Sequence, residues 1–251
     1  MITPEYLLTP LEFDILWHEL RLGRMPYPLD VPSEGDTEQE RRVLRDRTLA
    51  ELRQRGLHGD ERLEGFLRLL DDHEVSIDAV VGLDRTVRAL AASDRQRAVL
   101  AVIDDGRIGF AEIRETGLAR EIVRVLPDGE PGPGTALSVR VEQLHQAVAI
   151  REAEAGKESD DPWGEDKLDE QQALVRAGLS AKDATQVGEL AANRVAGGQF
   201  GVTQGRQRAD VVINWFDTHE GRYLMVNADG WLSLSPTDNG RIATRIDAVL
   251  A

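Results

Sequence analysis

Between Val99 and Leu126 the apolar positions are spaced first for a hairpin and then for a helix. Two apolar-rich runs flank Asp105-Gly106. An Asp-Gly pair in that setting predicts a type I′ turn, which needs positive φ at both central residues. The turn sets Ile103 opposite Ile108 and Ala101 opposite Phe110, all four on one face. Leu118, Ile122, Val125 and Leu126 then fall on one stripe of a helix. The pattern recurs at an offset of 124 (229 less 105), with Asp229-Gly230 as the second turn. Leu232 and Leu234 face Met225, with Asn227 the polar exception, and Ile242, Ile246, Val249 and Leu250 repeat the stripe. Val87, Ala89 and Ala91 map onto Val211, Ile213 and Trp215 at the same offset. Few letters are identical, so what repeats is the pattern. A register shared through strand, hairpin and helix predicts an internal duplication.

The remaining elements fit that scheme. Tyr6 to Leu8 reads as a strand, and Thr9, Pro10 and Glu12 form a capping box for a helix to about Leu22, with Leu11, Ile15 and Leu16 inward. Prolines 26, 28 and 32 forbid a helix between Arg24 and Gly35, which reads as a stiff surface crossing in preference to a PxxP ligand. Helices follow over Asp36–Arg55, with Val43, Leu44, Leu49 and Leu52 apolar and Gly56 as the stop, and over Glu61–Asp72. Strands at Val75–Val81 and Thr86–Ala91 lead into the first hairpin, giving four antiparallel strands covered by helices, an α+β arrangement.

Pro127 to Gly134, PDGEPGPG, is the clearest boundary, after which the order of elements restarts. Leu137, Val139 and Val141 alternate as a strand, and Gln143–Glu154 reads as a helix. Gly156 to Asp166 is acidic and breaker-rich, a loop. Helical patterns return at Leu168–Ala177 and from Ser180, and Gly178-Leu179 echoes Gly56-Leu57. After Ala196-Gly197-Gly198 come a weak strand at Gln199–Val202 and a strong one at Val211–Phe216. The expected division is therefore an N-terminal half (1–126), a linker (127–134) and a C-terminal half (135–251).

Composition narrows the function classes. A net charge of −15 and a pI near 4.8 argue against non-specific binding to nucleic acid or anionic membrane, which needs clustered Lys and Arg. The absence of cysteine removes disulfides and thiolate metal sites. The N-terminus lacks a basic run followed by an apolar one, and no stretch approaches the roughly 18 apolar residues of a membrane span. A cytoplasmic protein without membrane insertion is expected. The histidines, at 18, 58, 73, 145 and 219, form no HxxxH or HExxH frame, and His219 reads as part of a solvated turn. Phosphate-binding and nucleophile-elbow motifs are missing, and Gly132-Pro133-Gly134 and Gly197-Gly198 lack the basic partner of a phosphate site. Asp71-Asp72, Asp104-Asp105 and Asp160-Asp161 sit in no EF-hand register. No metal, cofactor or enzymatic activity is expected.

One long stretch does resemble something known. MPYPLDVPSEGDTEQERRVLRDRTLAELRQRGL, Met25 to Leu57, resembles the EspG family of ESX (type VII) secretion-associated proteins of mycobacteria and other actinobacteria. RTVRALA from Arg85, AVLAV from Ala98, FGV from Phe200 and GRYL from Gly221, leading to Asp229-Gly230-Trp231, follow in the family's order. The resemblance implies a fold of two pseudo-symmetric halves with a central antiparallel sheet and helical bundles. It implies a cytosolic, non-enzymatic chaperone that binds PE–PPE heterodimers at the helical tip of the PPE subunit and keeps them soluble for secretion. A reversible holder of a helical tip needs an apolar groove with a polar rim. The family's partner surface, a first-half loop and second-half helices, corresponds here to Ala92, Ser93, Asp94, Arg95, Gln96 and Arg97, and to Gln186, Glu189 and Asn193 on the helix Ser180–Val195. Two alternatives stay open: an adaptor for a different helical client, and a small-molecule enzyme with a deep pocket between the halves. Self-association into a homodimer also stays open.

Overall fold

Capping boxes start the first two helices in the computed structural model, which describes residues 3–155 and 170–251. The Thr9 hydroxyl accepts from the Glu12 N–H while the Glu12 carboxylate accepts from the Thr9 N–H, and Thr37 and Glu40 repeat the exchange. The acidic loop 156–166, with Asp160-Asp161, and the first residues of the helix expected from Leu168 lie outside the described residues. The described residues hold eight helices and a large antiparallel sheet of 11 strands. They group into two compact units.

The first unit comprises residues up to Asp128 together with Gly198–Ala209 and Asn239–Ala251. In chain order it holds β1 (Tyr6–Leu8), α1 (Pro10–Glu19), α2 (Glu38–Gln54), α3 (Glu61–Asp71), β2 (Val75–Gly82), β3 (Thr86–Ser93), β4 (Ala98–Asp104), β5 (Arg107–Ile113) and α4 (Leu118–Val123). Its strands lie in the order β1-β5-β4-β3-β2. Ala101 pairs with Phe110 and Ile103 with Ile108, as the turn requires, and all four are buried in one core with Phe13 and Trp17 of α1 and Leu63, Phe66, Leu67 and Leu70 of α3. Asp105 and Gly106 have φ of 46° and 67°, the type I′ geometry.

Three local expectations give way here. α1 ends at Glu19 rather than Leu22, because Arg21 takes the left-handed φ of 54° and the Leu22 N–H turns back to the Trp17 carbonyl (3.2 Å). That is a Schellman stop built on arginine in place of glycine, so the letters do not announce it. Val43 is 63% exposed, since only Leu49 and Leu52, further along α2, reach the core. α4 stops at Val123, short of Pro127, yet Leu126 is still buried.

The second unit comprises Gly129–Gly197 and Asp210–Asp238. It holds β6 (Leu137–Arg140), α5 (Val141–Ala155), α6 (Glu170–Arg176), α7 (Ala181–Ala192), β9 (Val212–Thr218), β10 (Gly221–Ala228) and β11 (Trp231–Pro236), with the strand order β9-β10-β11-β6. Between α7 and β9 the chain runs through β7 (Arg194–Gln204) and β8 (Gln207–Arg208), and it closes on α8 (Asn239–Leu250) in the first unit. Leu137, Val139, Leu174, Leu179, Phe216, Tyr223 and Leu234 share this unit's core. Gly197-Gly198 does not break the chain: both lie inside β7. A Cβ on Gly197 would stand 2.9 Å from the Trp215 carbonyl oxygen, so glycine here serves close approach.

The pairings repeat in register. Ala89 pairs with Val102 and Ala91 with Leu100; 124 residues on, Ile213 pairs with Val226 and Trp215 with Leu224. Met225 pairs with Leu234 and Asn227 with Leu232, the counterparts of Ala101–Phe110 and Ile103–Ile108. Asp229 and Gly230 again have positive φ, 51° and 75°. β1 pairs with β5 as β6 pairs with β11. α2 and α6 also stop alike: Gly56 and Gly178 are left-handed, and the Leu57 and Leu179 N–H groups reach back to the Leu52 and Leu174 carbonyls (2.8 and 3.1 Å).

Candidate partner-docking site

The two stretches expected to meet a partner fall in different units, and each has its own local logic. In the first unit, Ala92 and Ser93 are not loop residues. They extend β3, pair with Val99 and Ala98, and are buried. They are strand rather than loop because the strand runs two residues past the alternation visible in the letters. The turn proper is Asp94–Arg97. The Asp94 carboxylate accepts from the Gln96 and Arg97 N–H groups (2.9 and 2.7 Å) and from the Arg97 guanidinium (3.1 Å). Ser93 Oγ accepts from the Arg95 N–H, and Arg95, at φ 65°, reaches Glu74 (2.7 Å). Burial opposes the charged form of Asp94, but these N–H donors and Arg97 prevail and hold its carboxyl below the usual range. The turn is thus pre-shaped, with Arg95, Gln96 and Arg97 exposed on it.

In the second unit, Ser180 caps α7 by accepting from the Asp183 N–H (3.1 Å). The helix ends at Ala192 with Asn193 as its C-cap, not at Val195, which is the exposed second residue of β7. Gln186, Glu189 and Asn193, one turn apart, come together on one wall of an open cleft of about 530 Å³. Leu190 lies among them; Pro133-Gly134 and the β9–β10 turn with Thr218, His219, Glu220 and Tyr223 complete it.

Sequence reasoning missed what fixes the second wall. PDGEPGPG reads as a linker, yet its backbone is docked on β10. The Arg222 N–H donates to the Glu130 carbonyl (2.8 Å), the Gly132 N–H donates to the Arg222 carbonyl (3.1 Å), and the Tyr223 hydroxyl donates to the Pro133 carbonyl (2.9 Å). A Cβ on Gly129 would come within 2.5 Å of the Arg222 guanidinium, and one on Gly132 would run into the Tyr223 ring. The Arg222 side chain is fully buried, holds Asp217 in a bidentate pair (2.7 and 2.8 Å) and stacks 4.6 Å over Trp215. Burial, reinforced by the Glu220 carboxylate, raises the Tyr223 hydroxyl above its ordinary value, so it stays a neutral donor. Among the described residues no group of three or more His, Asp or Glu side chains converges to hold a metal, and no helix is long and apolar enough to cross a membrane.

A capped helix facing a fixed backbone wall across an open, polar-rimmed cleft defines a binding scaffold. Comparison with known proteins then gives the particular kind. A family model described as the EspG family matches residues 9–248, and the chain belongs to that family. No curated protein matches it by sequence. Its fold is similar to that of the Mycobacterium tuberculosis type VII secretion system chaperone EspG5, solved in complex with a PE25-PPE41 dimer. The TM-score is 0.73 at 15% identity, over 98% of this chain and 95% of that one.

Proposed function

We propose that this protein is a cytoplasmic chaperone of a type VII secretion system that binds PE–PPE heterodimers at the helical tip of the PPE subunit and keeps them soluble for export. The observation that carries the reading is membership of the EspG family along nearly the whole chain, 9–248. The likeness to a chaperone solved with its PE–PPE dimer supports it. The role is binding, without a chemical step. The docking surface comprises the exposed residues of the Asp94–Arg97 turn and the α7 wall carrying Gln186, Glu189 and Asn193. The fold arose by duplication of one β-α-α-α-β-β-β-β-α unit, leaving halves 1–126 and 135–251 within one EspG-like body. The shared offset of 124 across two strand pairings supports that origin.

Co-expression with the PE–PPE pair encoded beside this protein tests the reading. A stable soluble complex by gel filtration is the expected result. Failure to form a complex with any PE–PPE pair of the same genome overturns it.

A further inference from the structure

We infer that residues 32–47, the end of the proline-rich crossing and the first turns of α2, open by local unfolding on an otherwise folded protein, with the Asp14 carboxylate as their latch. The inference stands apart from the chaperone reading. Burial changes abruptly inside α2. From Pro32 to Arg47 only Arg41 and Leu44 are half-buried and every other residue is exposed, whereas Thr48, Leu49 and Leu52 are buried. The core that takes Leu49 and Leu52 includes no residue of this stretch, and on the other side its last contact is Val31. An open groove of about 690 Å³ runs along the stretch from Gly35 to Leu44, and the exposed Val43 lies on its wall. With so little apolar surface withdrawn from water, burial does not hold these residues down.

Polar contacts to α1 hold them instead. Arg41 pairs with Asp14, the Ser33 hydroxyl donates to the same carboxylate (3.3 Å), and Arg45 forks onto Glu19 (2.9 and 3.0 Å). The two ion pairs are unequal. Arg45 and Glu19 are 45% and 32% exposed, so water competes for both and the pair adds little. The Asp14 side chain is 1% exposed, and His18, 3.3 Å from it, stands mostly in solvent. Losing Arg41 therefore leaves a buried carboxylate without its guanidinium, which is costly while the stretch stays down. Within the stretch, the Thr37–Glu40 capping box, the Arg41 bond to the Glu34 carbonyl (3.2 Å) and the Arg42–Glu38 pair (3.3 Å) tie it to itself. It is thus lost as one cooperative unit rather than residue by residue from its end.

Native-state hydrogen exchange on the full chain, read by mass spectrometry, tests the latch. Amides 41–47 should share one opening free energy and exchange at least about tenfold faster than amides 52–55, whose carbonyl acceptors lie beyond the stretch. Arg41→Gln should speed amides 41–47 by a further tenfold or so, while those of α3 and β3–β5 keep their rates. Asp14→Asn/Arg41→Gln, which removes the stranded charge, should recover part of that protection. Equal protection along the whole of α2, or a residue-by-residue gradient starting at Thr37, overturns the inference. So does an Arg41→Gln variant whose exchange rises equally in α3. Should Arg41→Gln fail to fold, the wild-type profile decides alone, a shared step supporting the unit and a gradient overturning it. No client enters this measurement, so neither result bears on the proposed function.

Discussion

Gly132 stands against the Tyr223 ring with no space for a Cβ, and Gly129 does the same against Arg222. Gly132→Ala should push the ring or the Pro133-Gly134 wall aside and cost about 1–3 kcal/mol in urea unfolding, with a looser client complex as the second readout. Arg222→Ala should cost more, about 3 kcal/mol or above, because it strands the Asp217 carboxylate that the buried guanidinium pairs. Asp94 has a different duty. It shapes its turn through two backbone N–H groups, so Asp94→Ala should lower stability by about 1 kcal/mol, whereas Gln96→Lys, on the exposed tip, should change it by less than about 0.5 kcal/mol. Acid sensitivity follows from the same kind of contact. The carboxyl of Asp60, held chiefly by the Leu63 N–H, and that of Asp104, held chiefly by Arg85, lie below the usual range, as does that of Asp94. Each is easier to protonate in the unfolded chain than in the folded one. Their stabilisation is full above the ordinary carboxylate pKa and is lost as pH falls through the folded values. Asp247, raised by burial, works the other way. Thermal melts should be flat near neutrality and fall below about pH 4, with a shallower fall in Asp104→Asn; a flat profile down to about pH 2 would refute this.

At the level of elements, the two Asp-Gly hairpins were legible because turn chemistry is local. Left-handed φ at Gly106 and Gly230 makes Gly106→Ala and Gly230→Ala each cost about 1 kcal/mol, while Asp105→Asn should be tolerated. Where the sequence misled, the deciding contact came from elsewhere in the chain. The end of α1 depends on Arg21 accepting a left-handed φ so that Trp17 Nε1 can donate to the Gly23 carbonyl (2.8 Å). Glycines in β7 and in PDGEPGPG read as breakers, yet they are spaces left for Trp215, Arg222 and Tyr223. Composition carries no difference between a glycine that bends the chain and one that admits a neighbour.

On the scale of the molecule, the first unit is not closed by the first 128 residues. Asp78, 3% exposed in β2, is held in a bidentate pair by Arg208 (2.6 and 3.0 Å), and Gly201 leaves the room that Arg208 fills. The buried Ile242 and Ile246 lie on α8, which also belongs to that unit. A fragment ending at residue 128 therefore leaves a buried carboxylate unpaired and an apolar face open. It should show no cooperative unfolding transition, or one at much lower urea than the whole chain; equal midpoints would contradict this.

The sequence by itself determined the Thr9–Glu12 capping box, the two Asp-Gly turns and the apolar stripe of α8, because each is set by residues within a few positions of one another. It also carried the family resemblance, and with it Gln186, Glu189 and Asn193 as neighbours on one helix face. Only the tertiary structure decided that Ala92 and Ser93 are buried, that Pro133-Gly134 is a wall of the cleft, and that Asp78 is paired. Those outcomes rest on contacts between residues far apart in the chain, such as the 130 positions between Asp78 and Arg208, and no local pattern encodes which distant side chain arrives.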